Sequence, residues 1–125
     1  MPISVNDYVP GEKRLSLKGT GSIDIAEMRA AVDEFRAGER RAMPILLDLS
    51  EATLQFSADD VVTLAADRAL ENKRSPLGPL ALIATADEPF GLSRMFKAYS
   101  DASGRPHVGV FRDASSAERW LQSLE

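Results

Sequence analysis

Three short and almost uninterrupted apolar runs, Ile45-Leu46-Leu47-Asp48-Leu49, Leu80-Ala81-Leu82-Ile83-Ala84 and Val108-Gly109-Val110-Phe111, are each followed by a stretch with helical periodicity. Strands that read as nearly continuous hydrophobic segments are covered on both faces. Alternating such strands with helices requires parallel crossovers, which are right-handed. The chain is thereby confined to an α/β sheet. Upstream, Ile3 and Val5 and then Leu15 and Leu17 alternate with polar neighbours on either side of a turn at Val9-Pro10-Gly11-Glu12, the pattern of an antiparallel hairpin. The expected order is ββαβαβαβα, a mixed sheet of about five strands with four helices.

The helices follow from apolar residues at i, i+3, i+4 and i+7. The first starts at Ile25, buries Met28, Val32 and Phe35, takes Asp24 or Ser22 as its cap and stops at Gly38. The second, Ser57 to Asn72, places Val61, Leu64, Ala65 and Arg68 on one stripe, with Val62, Ala66, Ala69 and Leu70 widening it. The third has Leu92, Met95, Phe96 and Tyr99, and the fourth Ala117, Trp120, Leu121 and Leu124. The Pro- and Gly-containing stretch from Lys73 to Pro79 joins a helix to a strand rather than dividing domains, so residues 1–125 read as one domain.

Composition excludes several functions. With 15 Lys plus Arg against 19 Asp plus Glu, a formal net charge of -4 and no basic cluster, the chain is not built to track nucleic-acid phosphates. The absence of cysteine removes disulfides, thiolate nucleophiles and cysteine metal sites. The single histidine, His107, reads as a loop residue, and it leaves no imidazole pair for a triad or a zinc site, so no metal or cofactor is expected. No Gly-x-Ser-x-Gly elbow is present, and Gly19-Thr20-Gly21, placed in a strand-to-helix turn, is too short to cradle phosphate. No run approaches the roughly 20 apolar residues of a membrane span, and the first residues match neither a secretion signal nor a transit peptide. A cytoplasmic, non-enzymatic protein is the expectation.

In an open α/β sheet, ligands meet the carboxyl ends of the strands, which draws attention to Ile45–Asp60. Asp48 and Asp87 each end an expected strand, where paired carboxylates would serve a Mg²⁺ site or acid–base chemistry and where Asp48 would join an interaction or ligand face. The simpler roles are a polar terminator for Asp48 and a helix cap for Asp87. Ser57, followed three residues later by Asp60, matches a capping box. The segment from Glu88 to Phe96 offers an interaction face made by Phe90, Arg94, Met95 and Phe96. Phe90 stands either exposed as an anchor or folded back as a staple. Trp120 belongs to the core of the last helix.

The order of elements, the stretch LLDLSEATLQFSADDVVTLAADRAL and the closing VFRDASSAERWLQSL resemble a STAS domain, the fold of bacterial anti-sigma factor antagonists. With EPFGLSRMF after the fourth strand, the chain is most similar to the SpoIIAA-like branch, which is related to STAS and CRAL-TRIO proteins. The resemblance runs from about Leu15 to Leu124. It implies a regulatory or protein-interaction module whose partner is a kinase-like or sigma-regulatory protein, and it places Ser57 at the phosphoacceptor position. The Asp-Ser-Ser-Gly motif of those antagonists is replaced by Phe56-Ser57-Ala58-Asp59, and the added carboxylate opposes a phosphate there.

Two expectations therefore stand. The first is a docking module without the usual phosphoswitch; the alternative is a small carrier of a lipid or other apolar ligand, as the SpoIIAA-like resemblance suggests. A cavity lined by Phe90, Met95 and Phe96 would favour the carrier, and a flat patch the module. Pairing of the Ile3–Val5 edge with its own copy would give a homodimer.

Overall fold

The computed structural model describes residues 3–7 and 14–124; the expected turn at Val9–Glu12 lies outside them. Five strands, β1 (Ile3–Asp7), β2 (Leu15–Asp24), β3 (Ile45–Gln55), β4 (Leu80–Ile83) and β5 (Val108–Phe111), form one mixed sheet in the spatial order 1-2-3-4-5. β1 is antiparallel to β2, and every later pair is parallel. Helices α1 (Ile25–Phe35), α2 (Ala58–Arg74), α3 (Asp87–Ala102) and α4 (Ala114–Ser123) alternate with the strands in the expected order. Each right-handed crossover steps to the next strand in the same direction, so α1, α2 and α3 fall on one face. α4 follows the last strand and turns back over the other, against β3, β4 and β5.

Register sorts the strand residues onto these faces, because successive side chains point to opposite sides. The rows Leu15-Ile45-Leu80-Val108 and Leu17-Leu47-Leu82-Val110 face α1–α3. Between them, the row Ser16-Leu46-Ala81-Gly109 faces α4. On that side Leu46, Ala81 and Ile83 meet Ala117 and Leu121. Trp120 lies against Phe111 with ring centroids 5.5 Å apart. A Cβ on Gly109 would stand 2.7 Å from the Phe111 ring, so this strand position is kept bare to admit the aromatic pair.

Several elements differ from expectation. β2 and β3 continue past Lys18 and Asp48 to Asp24 and Gln55, so Gly19-Thr20-Gly21 lies within a strand and Asp48 lies within β3 rather than at its end. The cause is a bulge: Lys18 pairs with Asp48 but Thr20 with Glu51, which leaves one extra residue on β3. The Asp48 carboxylate accepts the Ser50 N–H at 2.9 Å and holds that kink. On α3 the buried set is Pro89, Ser93, Phe96 and Ser100, while Tyr99 is 44% exposed. The stripe is rotated toward the two small serines, on a helix that packs on α2, β5 and β3. Leu70, placed at the margin of the α2 stripe, is 61% exposed.

Candidate functional site

At the carboxyl ends of the strands, the polar residues are occupied with local structure. Ser57 caps α2 through the full reciprocal box: its Oγ accepts the Asp60 N–H at 3.1 Å, and the Asp60 carboxylate accepts the Ser57 N–H at 2.9 Å. Asp87 is not the cap of α3; Ala86 is, without a side-chain bond, and Asp87 is the first helical residue, paired with Arg112 at 3.1 Å. Pro89 in that first turn loses nothing, since its missing N–H would have no partner there. Phe90 is half-buried beneath the Arg112 guanidinium, whose carbon lies 3.8 Å from the ring centroid, while exposed Arg94 stands at 5.9 Å. Arg112 is held in place by the Thr85 carbonyl at 2.8 Å. Phe90 is thus neither a bare anchor nor a staple but the lower half of a cation–π stack. His107 is exposed in a left-handed conformation, φ 61°, and its carbonyl accepts the Leu80 N–H at 2.9 Å, joining the starts of β5 and β4.

The concave feature lies elsewhere. Between the sheet and α1–α3 runs a partly open cavity of about 90 Å³. That is room for several waters, yet its walls are almost wholly apolar. Its floor is made by Leu17, Ile45, Leu47, Leu49 and Leu54, and its roof by Met28, Phe35, Val61, Leu64 and Phe96. Of the expected face, Phe96 lines it but Phe90 and Met95 do not. Of these floor residues Ile45, Leu47, Leu49 and Leu54 all come from β3. The seam between α1 and α2 above it is bridged by ion pairs, Arg29–Asp67 and Arg68–Asp33, the latter at 3.7 Å.

Three arginines, Arg36, Arg68 and Arg105, line the cavity, and Arg36 and Arg105 gather at the amino ends of β3–β5, opposite to where strand-end reasoning looked. Arg36 is a structural knot. It donates to the carbonyls of Arg41 at 3.1 Å, Gly78 at 2.9 Å and Pro79 at 3.3 Å, tying together the loops that lead into β3 and β4. Gly78 permits this closeness, since a Cβ there would lie 2.4 Å from the Met43 carbonyl oxygen. Arg105 is different. Only 3% exposed, it has an Nε with no acceptor among the described residues, and its guanidinium sits 6.0 Å from the Phe96 ring. Arg68 Nε and Ser93 Oγ are likewise buried without a partner among the described residues.

The electrostatics are one-sided. Among the described residues neither Arg36 nor Arg105 is paired with a carboxylate, and only Arg68 has one, Asp33. Burial, and then the neighbouring guanidinium groups of Arg105, Arg68 and Arg41, push Arg36 down to about 9. Burial and Arg68 push Arg105 down to about 10. Both remain cations at neutral pH, so the cavity carries more buried positive charge than Asp33, the one carboxylate paired with its arginines among the described residues, offsets. A polar cleft lined by Asp33, Arg41 and Glu71 adjoins it and shares Arg36 and Arg68.

Arg68 falls on the apolar stripe of α2 and Arg36 four residues after Val32 on that of α1, and a charge within an apolar stripe is the signal that marks both; no such pattern marks Arg105 or Ser93. Among the described residues no group of three or more His, Asp or Glu is placed to hold a metal ion, and no helix is long and apolar enough to cross a membrane. No protein-family model matches the chain, and no curated protein matches it.

Proposed function

We propose that this protein binds an apolar ligand between its sheet and α1–α3, and that it acts as a carrier or sensor of that ligand rather than as an enzyme. The cavity carries the reading. It is apolar, much of its floor is β3, and it is roofed by helices whose α1–α2 seam is bridged by the Arg29–Asp67 and Arg68–Asp33 ion pairs. Arg29–Asp67, partly exposed at both ends, contributes little to holding the seam closed. This reverses the order suggested by the residues alone, in which a docking module came first.

The STAS-like docking module is the second reading. It is supported by the exposed start of α2 beside the carboxyl end of β3. It is the weaker because Ser57 Oγ is engaged in its cap and two carboxylates, Asp59 and Asp60, stand in the same helical turn.

Native mass spectrometry of protein purified from its own host tests the choice. A copurifying apolar molecule, lost in Ala31→Leu where a larger side chain fills the cavity, is the expected result. A bare protein that shows no thermal stabilisation by medium-chain acyl compounds would rule the carrier out. A mass gain of one phosphate on the Ser57 peptide would restore the module.

A further inference from the structure

We propose that the ligand is an amphipathic anion, an acyl chain ending in a carboxylate, with its head held by Arg105, Arg68 and Ser93 and its chain lying along β3 toward Leu54 and Phe56. The inference rests on the apolar-ligand reading and adds the chemistry of the head. Three unmet donors line one cavity: Arg105 Nε, Arg68 Nε and Ser93 Oγ. Arg105 and Ser93 are each only 3% exposed, so bulk water does not satisfy them. A buried guanidinium N–H without an acceptor is costly in a protein interior. It persists where a further group completes it.

The missing group is defined by what surrounds it. Its charge is negative, because the nearby ionisable groups are Arg36 and Arg41 in addition to the two unmet arginines, with Asp33 on the far side of Arg68 and Glu71 already engaged by Arg41. Its shape is planar and it accepts from several donors at once, because a guanidinium offers its N–H groups as a fork that matches a carboxylate. Its remainder is apolar, because beyond the arginines the walls are Leu, Ile, Met and Phe side chains. Arg36 takes no direct part, since backbone carbonyls already use its donors; it adds field, not contact.

The test is calorimetric titration of the whole chain with decanoate and with decanol, alongside thermal unfolding of the unliganded protein and of Arg105→Met. In the wild type decanoate binds about ten- to a hundredfold more tightly than decanol, the worth of charge-assisted hydrogen bonds in a dry site. In Arg105→Met the affinity for decanoate falls to that for decanol, which is unchanged, while the unliganded variant melts at a higher temperature because an unpaired buried charge is gone. Arg68→Met reduces the same ratio and serves if the first variant does not fold.

Equal binding of acid and alcohol by the wild type would overturn the anionic head while leaving the apolar cavity in place. Binding of neither would overturn the apolar-ligand reading itself. A lower melting temperature of Arg105→Met with an unchanged acid-to-alcohol ratio would make Arg105 a purely structural residue and overturn its assignment.

Discussion

On the α4 face of the sheet the apolar layer is thin and full, whereas on the α1–α3 face it is deeper and incomplete. The α4 layer is built from small residues, Ala81, Gly109 and Ala117, fitted around Leu46, Leu121 and one aromatic pair, with no buried charge in the cluster. The opposite layer uses larger side chains, Met28, Phe35, Leu64 and Phe96, yet leaves a cavity among them and admits three arginines. Close packing is the ordinary state of protein interiors, so the α4 face needs no explanation beyond stability. The looser face, with its unmet donors, is where stability has been given up, and function is the usual reason.

Core truncation should break the symmetry most clearly. Leu121→Ala is expected to cost about 3 kcal/mol in denaturant unfolding, because the tight layer cannot collapse around the gap. Leu64→Ala is expected to cost about 1–2 kcal/mol, since its side chain already lacks partner atoms on the cavity side. Equal losses would mean that the two faces are equally packed. Enlarging side chains inverts the test. Ala117→Leu, at a position with no exposure, should destabilise by about 2 kcal/mol through overpacking. Ala31→Leu should be neutral or stabilise by about 1 kcal/mol while abolishing decanoate binding.

Smaller effects refine the comparison. Ser57→Ala removes the cap of α2 on the cavity side and should cost about 1 kcal/mol, read as a lower denaturation midpoint with unchanged slope. Each face also carries a carboxylate that is held below its ordinary value, half-buried Glu71 and exposed Asp113. Glu71 is lowered chiefly by its hydrogen bond from Arg41, and Asp113, the α4 cap, by the Ser116 backbone N–H. A lowered folded value means that the contribution is complete above the ordinary values of 4.5 and 3.8 and disappears as pH falls through the lowered ones. Glu71→Gln and Asp113→Asn should therefore each flatten the acid limb of a stability–pH curve while leaving its shape above pH 4.5 unchanged.

The order of elements was legible because apolar runs and helical stripes each have a period that sequence displays directly. The capping box at Ser57 was legible for the same reason: it is local, and three residues fix it. Where β3 ends was not legible, because Asp48 looks like a terminator when read alone, and only its bond to the Ser50 N–H shows it holding a bulge in mid-strand. The face of α3 was not legible, because polarity alone does not mark Ser93 and Ser100 as inner residues; their burial is set by the elements that pack on the helix. The arginine cluster was hardest to see. Arg36, Arg68 and Arg105 lie on three separate segments, and their juxtaposition exists only once β3, β4 and β5 are side by side.

The regular march of the strands, each laid beside the one before it, has a consequence for how the molecule comes into being. A growing chain can add β3, then β4, then β5 to an existing edge without threading, each parallel pairing waiting only for the crossover that precedes it. One side of that growing sheet is roofed as it forms, since each crossover brings its own helix. The other side is not: Leu46, Ala81 and Ile83 remain open to chaperones, or to one another in neighbouring nascent chains, until α4 is made and swings across them.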